Sequence, residues 1–227
     1  MVRQGFERQL RDVQHAILTL GSMAAVAVER AVDALKSRDA TLAQEVIDHD
    51  GVLDNLASDI EEHALLLIAT QQPMASDLRT ISAVIAIAGE LERIGDYAEG
   101  IAKVVLLSLD EPPIKPLIDI PRMAEQAVDM LRRSLDAFIA HDLAAARSIW
   151  EEDDDIDALH DQVYREILTY MIADPAKIAR GTRLLWVAHN LERIADRVTN
   201  MCERTIYVIT GDRSRIMRAQ PVPEGAA

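Results

Sequence analysis

Cysteine is all but missing from this 227-residue chain: Cys202 stands alone, so no internal disulfide can form. Aromatic residues make up 4%, and there are only 9 Gly and 8 Pro. That scarcity argues against an architecture of short strands and tight turns and favours long helices. Positive charge is also short, with 24 Lys and Arg against 38 Asp and Glu, a net charge of −14. Bulk attraction to nucleic acid, anionic lipid or free phosphate is thereby disfavoured; cationic partners or metal ions are the natural complement. No long hydrophobic run exists. The longest charge-free stretch, 13–28, is interrupted by Gln14, His15 and Ser22, short of the roughly 20 apolar residues of a spanning helix. Neither a transmembrane segment nor the basic, apolar, small-residue order of a signal peptide is expected, and a cytoplasmic location fits. Gly-x-x-x-x-Gly-Lys, Gly-x-Gly-x-x-Gly and Gly-x-Ser-x-Gly are absent, so nucleotide binding and acyl transfer lack their local machinery.

What is present is a 49% hydrophobic content, enough for a packed core, and a repeat. Leu91-Glu92-Arg93-Ile94-Gly95-Asp96 recurs a hundred residues on as Leu191-Glu192-Arg193-Ile194-Ala195-Asp196, with Ala88 and Ala188 three residues before each. One supersecondary unit occurs twice. Prolines at 73, 112, 113, 116, 121 and 175 separate long helix-like intervals. They predict three helices in the first half, 6–36, 40–70 and 73–109, and three in the second, 121–140, 142–173 and 175–208. Asp174 and Pro175 supply a cap followed by proline at the first helical position. The expected fold is all-α: two tandem three-helix bundles, a first repeat over 1–111, a proline-rich linker over 112–121, a second repeat over 122–210 and a flexible tail from 211 to 227.

The second predicted helix carries a heptad stripe, Val46, Asp50, Leu53, Ala57, Ile60, Ala64 and Leu67, in which Asp50 breaks an apolar seam. The fifth carries Ile149, Asp153, Ile156, His160, Val163 and Ile167, broken likewise by Asp153. Each repeat therefore has one helix bearing Asp-x-x-x-Asp (Asp50 and Asp54; Asp153 and Asp157) and one bearing Glu-x-x-x-Asp (Glu92 and Asp96; Glu192 and Asp196). Carboxylates four residues apart share a helix face and repel by roughly 0.2–0.5 kcal/mol per pair, so their repetition calls for compensation. Two compensations are open. Arg93 and Arg193 can pair with Asp96 and Asp196 on faces that are simply solvated. Alternatively, two acidic helices side by side offer four hard oxygen donors to Mg²⁺, Mn²⁺ or iron, with zinc less favoured because the motif holds no imidazole or thiolate. No Glu-x-x-His occurs, so the ligand set of a di-iron oxidase bundle is missing. His160 is read as a helix-surface or seam residue, Trp150 and Trp186 as packing residues, and Cys202 as a small core or interface residue.

Pro73-Met-Ala-Ser-Asp77-Leu78-Arg79, the first Leu-Glu-Arg-Ile-Gly-Asp and the second Leu-Glu-Arg-Ile-Ala-Asp followed by Asn200 resemble the PhoU family of bacterial phosphate-signalling proteins over nearly the whole chain. The resemblance implies a regulator rather than an enzyme: a cytoplasmic negative regulator of the phosphate regulon and modulator of Pst-type uptake. It would bridge the ATPase subunit of the phosphate ABC transporter and a phosphate-sensing histidine kinase, recruited through them to the inner face of the membrane without inserting. It also implies metal on Asp50, Asp54, Glu92, Asp96, Asp153, Asp157, Glu192 and Asp196. A homodimer is expected because amphipathic bundles often leave an apolar stripe exposed, though no sequence feature fixes the stoichiometry. Two rival readings remain: a metal-dependent hydrolase or oxidase built on the carboxylates, and a helical adaptor that binds no metal. The copies differ at Gly95/Ala195, Tyr97/Arg197 and Gly100/Asn200.

Overall fold

The computed structural model describes residues 2–212; the tail expected to be flexible lies outside them from residue 213 onward. Among the described residues the chain is all helical: α1 (Val2–Ser37), α2 (Ala40–Gln71), α3 (Ala75–Leu106), α4 (Asp119–Ala140), α5 (Leu143–Glu151), α6 (Asp153–Ala173) and α7 (Ile178–Thr210). Helices α1, α2 and α3 pack on one another as one bundle, and α4, α5, α6 and α7 as the second; α3 against α7 and α1 against α4 join the two.

The repeat supplies the core. Leu91, Ile94, Leu191 and Ile194 are fully buried, and so are Val84, Ala98, Val187 and Val198 on the same helix faces. The α2 stripe is buried as its heptad spacing predicts, at Val46, Leu53, Ala57, Ile60, Ala64 and Leu67. Helix α1 is the one described helix long and apolar enough to cross a membrane, a length-and-composition property that the 13–28 stretch alone does not reveal. In the fold its apolar side, Ile17, Leu20, Ala24 and Val28, is buried against its neighbours.

Local chemistry ends and restarts the helices in the same way in both repeats. Arg38 and His141 take left-handed backbone angles, φ 57° and 54°, and each is followed by an aspartate that caps the next helix. Asp39 accepts from the amides of Thr41 and Leu42 at 2.9 and 3.0 Å, and Asp142 from Ala145 at 3.0 Å. These aspartates satisfy amides that a helix start leaves bare. Asp39→Ala is expected to lower stability by about 1 kcal/mol, a fall in Tm of about 2–4 °C for a chain of this size, measurable by thermal denaturation. Asp174 caps as anticipated, accepting from Ala176 at 3.1 Å, but Pro175–Lys177 forms a single 3₁₀ turn before α7 begins.

The segment between α3 and α4 is clasped rather than loose. Arg38 donates to the carbonyls of Ser108, Leu109 and Glu111, Arg180 to that of Pro112 at 3.0 Å, and Arg183 pairs with Glu111 at 3.0 Å. Ile114 and Lys115 are buried, the lysine paired with Glu166 and Asp119.

Two expectations are corrected. The predicted helix over 142–173 is broken at Glu152 into α5 and α6. Five consecutive acids, Glu151 to Asp155, repel within one continuous helix. The break places Asp153, Asp154 and Asp155 in the first turn of α6, where the helix dipole favours them. Glu152 is meanwhile held by the Arg133 guanidinium through two hydrogen bonds. Trp186 is not a packing residue: it is 60% exposed and meets the His189 ring edge-on, whereas Trp150 does pack against the core.

Candidate metal centres

All eight carboxylates singled out in the sequence are gathered, four to a repeat. In the first, Leu91 and Ile94 point α3 into the core, which leaves Glu92 and Asp96 at the edge facing α2. Asp50, Asp54 and Asp96 each present an oxygen within 4.8 Å of the others, the one such acidic, histidine or cysteine group among the described residues. Glu92 flanks them, its pKa raised by burial and then by Asp96 and Asp54. Burial, reinforced by Asp54, Glu99 and Asp96, pushes Asp50 up to about 6; burial, Asp54 and Glu99 push Asp96 up as well. Asp54 Oδ1 is buried with no hydrogen-bond partner. Buried carboxylate oxygens are ordinarily satisfied, so an orphan among other acids is chemically suited to act as a cation ligand.

Gly95 gives this convergence room. A Cβ there would stand 3.0 Å from Leu53 Cδ2 and 3.3 Å from Asp50 Oδ1, so glycine lets α2 bring Asp50 against α3. The second repeat has the fully buried Ala195 at that place, and the counterpart of Asp50, Asp153, begins α6 directly after the helix break.

In the second repeat burial, with Asp157, Asp196 and Glu192, pushes Asp153 up to about 7. Asp157 and Glu192 are raised too, mainly by burial, with Asp196 adding to both. Glu192 Oε2 is buried without a hydrogen bond; His189 Nδ1 stands 3.4 Å away, in ion-pair range but not aligned as a donor. Asp196 is held by Arg193 at 2.6 Å, the solvated-face pairing anticipated from sequence. Repeat 1 shows the convergent arrangement instead.

Beside Asp50 a groove of about 320 Å³ runs between α1 and α2, lined by Met23, Val26, Ala27, Val46 and Leu53 among others. Of the eight carboxylates, Asp50 lines it. Sequence reasoning missed Glu99, which follows Asp96 by three on the acidic face of α3 and pairs with Lys103 at 2.5 Å. It missed His189 as well, three residues before Glu192 on α7. Their i, i+3 spacing to motif residues was the available signal. His160 is half-buried within the field of Asp157 and Glu192. Cys202 is a core residue, its thiol pushed up to about 12 by burial.

The family described as "PhoU domain" matches this chain twice, over residues 17–105 and again over 120–205. The chain belongs to the PhoU family. It is 37% identical over 212 residues to the phosphate-specific transport system accessory protein PhoU homolog of Clostridium acetobutylicum, covering 93% of this chain and 97% of that one. It is 39% identical over 211 residues to the Rhizobium meliloti protein of the same name, covering 92% and 89%. Among solved structures, PhoU from Pseudomonas aeruginosa superposes with a TM-score of 0.88 at 32% identity, over 91% of this chain and all (100%) of that one. The regulatory protein PhoU from Streptococcus pneumoniae gives 0.84 at 32% identity, over 91% and 98%.

Each PhoU-domain match holds one carboxylate cluster, and two of the three positions where the copies diverge, 97/197 and 100/200, lie at the junction between them. Asn200 donates to Glu90 at 3.3 Å, while Asn190 donates to the Tyr97 carbonyl at 3.5 Å and packs on Gly100, where a Cβ would come within 2.8 Å of its amide nitrogen. Position 90 thus meets 200 and position 100 meets 190. Under the hundred-residue offset these pairings exchange, so α3 and α7 cross about an approximate two-fold. Arg197 pairs with Glu90 at 3.3 Å, and Tyr97 receives the Arg193 guanidinium at its hydroxyl at 3.5 Å. The departures Tyr97/Arg197 and Gly100/Asn200 are therefore solutions to packing one copy on the other.

Proposed function

We propose that this protein is a PhoU-type regulator of phosphate transport that acts by association with a phosphate-specific transport system. The observation that carries the reading is the alignment of nearly the whole chain with proteins named as accessory to such systems. The finer reading is an adaptor on the cytoplasmic side, placed between the transporter's ATPase subunit and a phosphate-sensing histidine kinase, which it holds in the repressing state when phosphate is plentiful. The net charge of −14 supports it physically, since long acidic helix faces are suited to basic patches on partner proteins. A regulator of this kind performs no covalent chemistry. An enzymatic use of the carboxylates draws no support from the groove beside Asp50, which is mainly apolar and reaches one carboxylate of the eight.

The metal part of the reading assigns Asp50, Asp54 and Asp96, with Glu92 beside them, as the oxygen donors of a hard divalent cation such as Mg²⁺ or Mn²⁺, or of iron. Asp153, Asp157, Glu192 and Asp196 are the second set. Bound cations would cancel like-charge repulsion and change the charge that each repeat presents to a partner. The metal-free adaptor reading is favoured locally by the Arg193–Asp196 pair, which already neutralises one carboxylate of the second set.

Deleting the gene tests the regulatory reading. In phosphate-replete cells, alkaline phosphatase output is expected to become constitutive, and a plasmid copy should restore repression. Output that stays repressed after deletion, with phosphate uptake also unaltered, would sink the proposal.

A further inference from the structure

The two clusters share four matched carboxylates yet differ in one respect that the family motif does not anticipate. In the second, Arg193 Nη1 lies 2.6 Å from Asp196 Oδ2, and its Nε faces the Tyr97 hydroxyl at 3.5 Å across the junction. In the first, Arg93 is exposed, and the Lys103 ammonium is engaged by Glu99 at 2.5 Å, while Asp50, Asp54 and Asp96 converge. We infer that Arg193 is a built-in counter-cation of the second cluster, so that the repeats take up a divalent cation with unequal affinity, the first repeat before the second. The inference rests on the cation-holding reading of the clusters.

The cause lies in the junction residues. Across the approximate two-fold, Arg193 meets Tyr97, a hydroxyl that accepts from it and anchors it facing inward. The position equivalent to Tyr97 is Arg197, so the partner that the same symmetry offers Arg93 is a like charge, itself drawn to Glu90. Arg93 stays exposed, acting on Glu92 and Asp96 through its field rather than through a hydrogen bond. A divalent ion entering the second cluster needs an oxygen that a guanidinium now holds through a charge-assisted hydrogen bond, among the stronger contacts a carboxylate makes. Its binding carries the added work of displacing that group. Binding to the first cluster displaces no hydrogen-bonded cation, since Arg93 and Lys103 act on it only through their fields, and it gives the unpartnered Asp54 oxygen a partner. Because Arg193 also touches Tyr97, cation entry in the second repeat bears on the contact between repeats.

The test is a Mn²⁺ titration of the full chain by isothermal calorimetry, with bound metal counted after equilibrium dialysis. The unaltered protein is expected to show two classes of site, at least about tenfold apart in Kd. Asp50→Asn should remove the tighter class and leave the weaker. Arg193→Gln should tighten the weaker class by about tenfold without moving the tighter one. Arg193→Lys, which keeps the charge, should retain the weak class, and Arg93→Gln should change neither. Circular dichroism of each metal-free variant checks that it is folded, and Arg193→Met, which also removes the charge, carries the comparison if the glutamine variant is not. A single class of equal sites, or a weaker class unmoved by Arg193→Gln, overturns this inference while leaving cation binding intact. Absence of bound Mn²⁺ in both the unaltered protein and Arg193→Gln overturns the cation reading and this inference together.

Discussion

Metal-free protein is expected to lose stability as pH rises from about 4 to about 7, and saturating Mn²⁺ is expected to restore it. The two carboxylates raised furthest are Asp50, to about 6, and Asp153, to about 7, from an ordinary 3.8. Burial is the leading cause for both, followed by neighbouring acids, Asp54 for the first and Asp157 for the second. A carboxyl whose folded pKa exceeds its unfolded one binds more protons in the folded state throughout the interval between the two. Stability therefore falls as pH climbs through that interval and levels off above the folded value. Below about 4 both states are protonated and the penalty vanishes. One pKa unit corresponds to about 1.4 kcal/mol. Solvent screening of these partly exposed groups reduces the combined loss to roughly 2–3 kcal/mol, or several degrees in Tm. Glu152 acts in the opposite sense: its pKa is lowered by the Arg133 hydrogen bond, so its contribution is lost only as pH falls below the ordinary 4.5. The two windows are separate, which makes the fall between 4 and 7 readable. Mn²⁺ at a hundredfold excess over its Kd adds about 2.7 kcal/mol per site. Urea denaturation at a series of pH values, with and without Mn²⁺, measures both effects. Asp50→Asn combined with Asp153→Asn should remove the larger part of the metal-free fall, the raised Glu92, Asp96, Asp157 and Glu192 accounting for the rest, and a double variant that keeps the full fall would refute the assignment.

Much of this arrangement was legible in the sequence, for a definite reason. Heptad spacing reports which side of a helix is apolar, and in α2 an interruption at Asp50 could only mean a carboxylate at the edge of a buried seam, which is where Asp50 stands, half-buried beside Gly95. The hundred-residue repeat then placed Glu92 and Asp96 by the burial of Leu91 and Ile94. What periodicity does not encode is how one copy meets the other. Tyr97, Arg197, Gly100 and Asn200 read as departures from a repeated motif, although in the fold they belong to the contact surface between α3 and α7. The break at Glu152 escaped for a related reason. Its acidic run satisfies the helical pattern on either side, and the Arg133 guanidinium that reaches from α4 to hold Glu152 at the break is a contact periodicity does not report. Trp186 was misread because size and apolarity suggest burial, while its position on α7 turns it toward His189 and solvent.

The junction should also be where a single substitution does most harm. Glu90→Ala is expected to destabilise the protein by about 3 kcal/mol, lowering Tm by about 6–12 °C. Glu90 and Arg197 have side chains only 16% and 11% exposed, and Glu90 accepts from Asn200 as well at 3.3 Å. Removing the carboxylate leaves a guanidinium in the crossing between repeats with its charge uncompensated. Its Nε is already buried without a hydrogen bond, so no spare partner is at hand to absorb the loss. The penalty therefore belongs to the stranded charge more than to the lost attraction, and a second substitution can separate the two. Replacing both residues by apolar ones of similar size, Glu90→Leu with Arg197→Met, removes the stranded charge and should recover most of the stability that Glu90→Ala loses. Thermal denaturation of Glu90→Ala, Arg197→Met and the apolar pair measures this. If Glu90→Ala remained within about 0.5 kcal/mol of the unaltered protein, the contact would be peripheral and α1 against α4 would have to hold the repeats together. If the apolar pair were as unstable as Glu90→Ala, the ion pair itself, rather than the avoidance of an unpaired charge, would be what joins the two PhoU repeats.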